Sequence, residues 1–296
     1  MKSLITGSSG LVGSALVEYL FSRGQTIQCL KRSPAVGSGR FWATEALSKI
    51  AGGPYQNIIH LADEKISPGR WTAKKKQQIL MSRLEGTRQL IDFILLQKDK
   101  PNIFLCASAI GYYGSRADEI LDEKSSPGSG FLADACCQVE EETRRLSAVG
   151  IRVVNLRFGM ILSPMGGALE KMVPPFQARL GGIVGNGEQF ISWISIRDAV
   201  QAINFIINNP DLDGPVNVVN PIQTTNRALT QALGKALNRP TVLRIPSFIV
   251  RLLYGQMADE LLLCSAWVTP RVLLESGYQF TDQSLDSVLH YCLAGK

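Results

Sequence analysis

Eight residues close to the N-terminus, Thr6-Gly7-Ser8-Ser9-Gly10-Leu11-Val12-Gly13, have the types and spacing needed to hold a phosphorylated ligand. Three glycines fall at G-x-x-G-x-x-G spacing, directly after a short strand-like run and directly before an amphipathic helical pattern. In that frame Gly7 permits a tight turn out of the strand, Gly10 lets backbone N–H groups approach a pyrophosphate, and Gly13 lets the helix pack close to the sheet. The positive end of the helix, at Leu11 and Val12, then faces the phosphates, with Ser8 and Ser9 in the loop beside them. A second signal lies at the end of the next strand-like run, Cys29-Leu30-Lys31-Arg32-Ser33. An acid that would bind a free ribose 2′-hydroxyl is missing there. Arg32, assisted by Lys31, is instead suited to stack on adenine and to pair with a 2′-phosphate. The expected cofactor is therefore NADP(H).

Groups able to move protons or bind a substrate recur at the ends of later runs. Ser108, Tyr112 and Tyr113 follow the fourth, Arg157 ends the fifth and Glu64 follows the third, while Trp193 lies in a block leading back toward the sheet. Ser108 is the candidate hydrogen-bond partner for a substrate oxygen. Tyr112 or Tyr113 is the candidate general acid or base, and Glu64, Arg157 and Trp193 are candidate substrate contacts. The six cysteines form no C-x-x-C pair and have only His60 and His290 to help them, so no metal site is expected and the thiols read as free.

These residues need elements that bring them to one edge. Strands are expected near Ser3–Thr6, Thr26–Leu30, Asn57–Ala62, Ile103–Ser108, Val153–Arg157 and Pro215–Val219. Helical patterns cover Leu11–Arg23, Thr72–Gln97, Phe131–Val149 and Asp198–Asn209, then Asn226–Leu237, Ser247–Met257 and Leu285–Leu293. The alternation implies an α/β fold, a Rossmann doubly wound parallel sheet, with a smaller C-terminal substrate-binding region. Residues 1–164, completed by 193–220, form the expected nucleotide-binding domain. Residues 165–192 and 221–296 form the smaller region, where Gly166-Gly167, Pro174-Pro175 and Gly181-Gly182 read as breaks.

The chain has 296 residues, 45% hydrophobic and 19% charged, which suffices for a sizeable core. No apolar run approaches the roughly 20 residues of a membrane span, and nothing marks the chain for export, so a cytoplasmic protein without a membrane partner is expected. The net charge of +6 raises the question of nucleic acid. Its densest run, Lys74-Lys75-Lys76, lacks interleaved aromatics and reads as a solvated helix face, so no nucleic-acid partner is expected. The expected partner is a small-molecule substrate of unknown identity, and a homodimer is left open.

Beyond single motifs, a series of short blocks runs in order along the chain: Thr6 to Gly13, Leu61-Ala62-Asp63-Glu64-Lys65-Ile66, Arg70-Trp71, Ser82-Arg83, Gly86-Thr87 and Ser108-Ala109-Ile110-Gly111-Tyr112-Tyr113-Gly114. They continue through Leu156-Arg157-Phe158-Gly159, Leu162-Ser163-Pro164, Gly166-Gly167-Ala168-Leu169, Pro174-Pro175-Phe176, Ser192-Trp193-Ile194 and Gly214-Pro215-Val216-Asn217. In these the sequence resembles the atypical extended short-chain dehydrogenase/reductases, the epimerase-like family of NADP-binding proteins. The resemblance implies further cofactor contacts at Leu61, Ala62 and Arg83, and an approach of Ile161 to the nicotinamide end. It departs at Asp63-Glu64-Lys65, where the family usually has Gly-Glu-Asn.

Ordinary members of the wider superfamily carry Tyr-x-x-x-Lys on the helix after the fourth strand. This chain places Leu132 and Cys136 there, or Phe131 and Ala135 one residue earlier, and none of these can relay a proton. Two readings follow. One is an NADP(H)-dependent oxidoreductase or sugar-type epimerase working without that pair, and the other is a non-catalytic NADP(H)-binding regulator.

Overall fold

The computed structural model describes residues 1–31, 42, 47, 50, 53, 55–64, 66 and 70–294. Six parallel strands make the central sheet: β1 (Lys2–Thr6), β2 (Thr26–Leu30), β3 (Asn57–His60), β4 (Ile103–Ala109), β5 (Arg152–Phe158) and β6 (Gly214–Val218), in the order β6-β5-β4-β3-β1-β2. All six lie where the apolar runs predict them. Successive strand side chains point to opposite faces, so Leu4 and Ile5 of β1 enter different cores. Helices α1 (Leu11–Ser22), α2 (Ala73–Leu96), α3 (Phe131–Ser147), α4 (Ala168–Gln177) and α5 (Ile196–Asn208) follow in the chain. One sheet face is covered by α1 and α5 through Leu16, Leu20, Ile203 and Ile206. The other is covered by α2 and α3 through Leu90, Ile91, Ile94, Val139 and Leu146. This double cover explains why the strands read as nearly continuous apolar runs.

β1 pairs with β2 on one side and β3 on the other, so the chain reverses its direction of travel across the sheet at β1. In open α/β sheets that reversal leaves a crevice at the carboxyl ends, the usual ligand position. The loop beginning at Gly7 and the segment beginning at Leu61 both open into it.

A further core joins the expected smaller region to residues of the expected nucleotide-binding domain. Leu162, Leu169, Val173, Phe176 and Trp193 meet Leu229 and Leu233 of α6 (Asn226–Ala236), beyond which α7 (Ser247–Tyr254), α8 (Arg271–Glu275) and α9 (Leu285–Leu293) complete the chain. Pro174 and Pro175 do not break α4, contrary to the expectation. Their missing N–H groups would have bonded the carbonyls of Glu170 and Lys171, which lie on the exposed side where water can serve. Meanwhile Leu169, Val173 and Phe176 hold the opposite face in the core. The region is tied to the sheet domain by buried Asp198 at the start of α5. Its carboxylate accepts from the backbone of Thr281 (2.8 Å) and Asp282 (2.9 Å).

Candidate active site

The phosphate-type loop has the geometry its glycines require. Gly7 adopts φ +71, and a Cβ there would stand 2.5 Å from the Leu61 carbonyl. A Cβ on Gly13 would lie 2.1 Å from the Gly7 oxygen, and the Gly10 N–H closes the turn onto that same oxygen at 2.9 Å. Among the described residues no side chain caps the N-terminus of α1, and its first turn holds no acid. A helix start in this state favours an anion.

Beneath the loop runs a hydrogen-bonded chain through His60, a residue sequence reasoning weighed only as a metal ligand. The Thr87 hydroxyl donates to the Arg83 carbonyl (2.6 Å), so it accepts from His60 Nε2 (3.1 Å). His60 Nδ1 then accepts from the Thr6 hydroxyl (2.7 Å), whose oxygen takes the Ala62 N–H at 3.3 Å. The chain fixes β1, the Leu61–Ala62 turn and α2 against one another. Arg83 therefore reaches the crevice from a fixed helix, and its Nε donates to Asp63 at 2.9 Å. Asp63, the departure from the family pattern, thus provides Arg83 with a counter-ion. Glu64 pairs with Lys75 at 2.9 Å. Lys31 is exposed immediately after β2, whereas Arg32 lies outside the described residues.

At the ends of β4 and β5 a buried polar network surrounds Glu140 of α3. Arg157 grips this carboxylate with two parallel bonds, Nε to Oε1 at 2.9 Å and Nη2 to Oε2 at 2.7 Å. The Ser108 hydroxyl donates to Oε1 at 2.7 Å. With its proton directed there, Ser108 keeps its lone pairs to accept a hydrogen bond from a ligand. Arg157 also donates to the Tyr113 hydroxyl (2.8 Å), which donates onward to Asn217 Oδ1 (2.7 Å). The Tyr112 ring lies under the guanidinium, 3.5 Å from its central carbon. Burial raises the Tyr112 phenol above its ordinary value and pushes Tyr113 up to about 12. Both rings are therefore neutral at pH 7, and neither is activated as a base.

Three expectations need correction here. Tyr113 is fully buried and spends its hydroxyl inside the network, so it is a structural strut rather than an acid or base. Arg157, 2% exposed, is engaged with Glu140 and Tyr113 and is not turned toward a substrate. Trp193 is a core residue whose Nε1–H is taken by the Thr224 hydroxyl at 2.8 Å. Ile161 lies on the short strand Met160–Ser163, paired with Trp193–Ser195 and half-buried. Glu140 is the residue the sequence reading passed over. The signal available was an acid on the inward stripe of α3, four residues after Cys136.

The helix positions themselves cannot transfer protons. Leu132 is buried, and its Cβ stands 3.1 Å from where a Cβ on Gly111 would lie. Cys136 is buried with its thiol pushed up by that burial, and it donates to the Ala109 carbonyl at 3.7 Å. The start of α3 is capped from the far end of the chain: Glu260 accepts the N–H groups of Phe131 (3.1 Å) and Leu132 (2.8 Å).

The family model for the NAD dependent epimerase/dehydratase family matches residues 3–220. The chain belongs to that family. A domain of unknown function (DUF1731) matches residues 245–292. The chain is 38% identical over 290 residues to the epimerase family protein Mb2239 of Mycobacterium bovis, covering 97% of this chain and 96% of that protein. It is 31% identical over 303 residues to the epimerase family protein YfhF of Bacillus subtilis, covering 100% and 99%. Among solved structures it matches the human epimerase family protein SDR39U1 (isoform 2) with NADPH, with TM-score 0.89, 29% identity and full cover of both chains. Within the epimerase family it is an atypical extended short-chain dehydrogenase/reductase. Among the described residues no group of three or more His, Cys, Asp or Glu could hold a metal, and no helix is long and apolar enough to cross a membrane.

Proposed function

We propose that this epimerase-family chain binds NADP(H) in the crevice between β1 and β3, and acts there as an oxidoreductase or sugar-type epimerase on a small molecule. The observation that carries the reading is the glycine cradle. Side chains at Gly7 and Gly13 would collide with the Leu61 and Gly7 backbones, so only glycines let the turn close this tightly, and the helix start that follows it offers N–H groups to a pyrophosphate. The human relative's structure with NADPH supports the same cofactor.

In this reading Gly7, Ser8, Ser9, Gly10, Leu11, Val12 and Gly13 hold the pyrophosphate, and Leu61, Ala62 and Arg83 line the path beyond it. Lys31 and Arg32 recognise the 2′-phosphate, and Ile161 walls the nicotinamide end. When bound, the nicotinamide gives or takes a hydride. The chain's own contribution is positional. Ser108, its proton held by Glu140, accepts from a substrate hydroxyl. Tyr112, neutral and braced by Arg157, donates, and Glu64 approaches from the third strand. A purely regulatory role is not favoured by the family assignment.

Titration by nicotinamide fluorescence tests the cofactor. NADPH is expected to bind about tenfold or more tightly than NADH, the yield of one contact to a charged group, and Arg32→Ala to remove the preference. Equal binding of the two would refute the 2′-phosphate reading. A metabolite screen following NADPH absorbance tests the chemistry, with turnover expected to fall in Ser108→Ala and Tyr112→Phe. Turnover untouched by both substitutions would show that the site is misplaced.

A further inference from the structure

Two features that the proposed chemistry does not use come together in the fold. One is the basic run at the start of α2, and the other is an apolar face on α7, some 180 residues later. Phe248, Leu252 and Leu253 project from α7 with 66%, 70% and 58% of their surface exposed, and Phe248 and Leu252 share a face at i,i+4 spacing. The C-terminal end of α7 abuts the basic segment. A Cβ at Gly255 would lie 3.7 Å from Arg70 Nε, and Lys76 Nζ donates to Gln256 at 2.9 Å. Met257, just beyond, is buried with Trp71, Ile79 and Leu132, so the two features are held together rigidly.

The charge around this face is one-sided. Of the nearby acids, Glu64 is paired with Lys75, Asp259 with Arg251, and Glu260 with the start of α3. Arg70 is exposed and Lys76 half-buried, and no ion pair involves either among the described residues. Three exposed side chains on an eight-residue helix fall far short of the roughly 800 Å² per partner that a stable dimer buries. Self-pairing would also bring the two copies' cations together. Apolar side chains flanked by unneutralised cations instead match the interface of an anionic bilayer, where the rings and aliphatic groups enter the acyl boundary and the cations meet headgroup phosphates.

We propose that the Phe248–Leu252–Leu253 surface of α7, with Arg70 and Lys76 at its C-terminal end, is a peripheral docking surface for anionic lipid membranes.

The test is sedimentation of the full chain with vesicles of phosphatidylglycerol and phosphatidylcholine, or of phosphatidylcholine alone, at about 0.1 M and about 0.5 M salt. Sedimentation is expected with the anionic vesicles at low salt, with little at high salt or on phosphatidylcholine alone. F248D/L252D is expected to abolish it. R70Q and K76Q should each weaken partition by about fivefold, as for loss of one surface cation. An unchanged thermal unfolding midpoint certifies that each variant is folded. A variant that fails this control is replaced by F248S/L252S. Three results overturn the proposal: no sedimentation with anionic vesicles at low salt, equal sedimentation of wild type and the folded apolar-face variant, or a light-scattering dimer that the same variant dissolves.

Discussion

Glu140 and Arg157 form a buried, doubly hydrogen-bonded pair, 11% and 3% exposed at the side chain, with Ser108, Tyr113 and the Tyr112 ring arranged around it. Removing one partner strands the other charge in the core. Arg157→Met is therefore expected to cost about 3–5 kcal/mol in urea unfolding and to release the Tyr112 ring. Glu123 behaves differently. It is buried, one carboxylate oxygen accepts from the Asn217 and Val272 backbones, and the other has no hydrogen-bond partner among the described residues. Burial raises its carboxyl above the ordinary carboxylate value. A group raised in the folded state contributes stability that is fully present below its unfolded pKa, about 4.3, and lost as pH rises through the folded one. The stability of Glu123→Gln relative to wild type should thus improve between pH 4 and pH 7, as read by denaturant melts across that range. Restoring the missing pair is expected to fail. Leu132 is packed against Gly111, and a lysine at Cys136 would join Arg83, whose charge already acts on that thiol. L132Y/C136K should therefore lower stability without creating alcohol dehydrogenase activity, measurable in one purification.

At the scale of elements, the start of α3 is held by a carboxylate from the distant Ala258–Leu262 turn. Glu260→Ala removes a charge-assisted cap, and a loss of about 1 kcal/mol is expected. Hydrogen exchange should quicken at residues 130–134 and 256–262 together, which separates a cap from a purely local effect. The elements of the nucleotide-binding half were legible in the sequence because each is a local pattern. The apolar runs of β1 to β6 and the glycines around Gly7 act over a few residues. What was not legible depends on partners remote in sequence. The two-residue and three-residue strands such as Gly182–Val184 exist only because Leu243–Ile245 lies beside them. The helix through Pro174-Pro175 persists because its buried face outweighs two lost backbone bonds. Tyr113 and Arg157 looked like site residues for the same reason: nothing within a few positions of either announces Glu140 or Asn217 as the group that claims it.

The whole molecule is closed by its tail. Asp198 binds the backbone of Thr281 and Asp282, and Tyr278 packs into the main core. Asp198→Ala is expected to free the last segment, so that limited proteolysis cuts between residues 270 and 284 while the sheet domain stays resistant. The order of the sheet has a consequence for how the chain is made. β5 leaves the ribosome before its outer neighbour exists. β6 begins 56 residues after β5 ends (214 less 158), about 3–11 s later at roughly 5–20 residues per second. Through that interval β5 carries a bare edge. The charge it buries is already provided for, since Glu140 precedes Arg157 in the chain. Asn217, the acceptor for Tyr113, arrives only with β6. The pocket wall is thus the last part of the nucleotide-binding half to mature, and a stalled or truncated chain would present a complete phosphate loop beside an unfinished site.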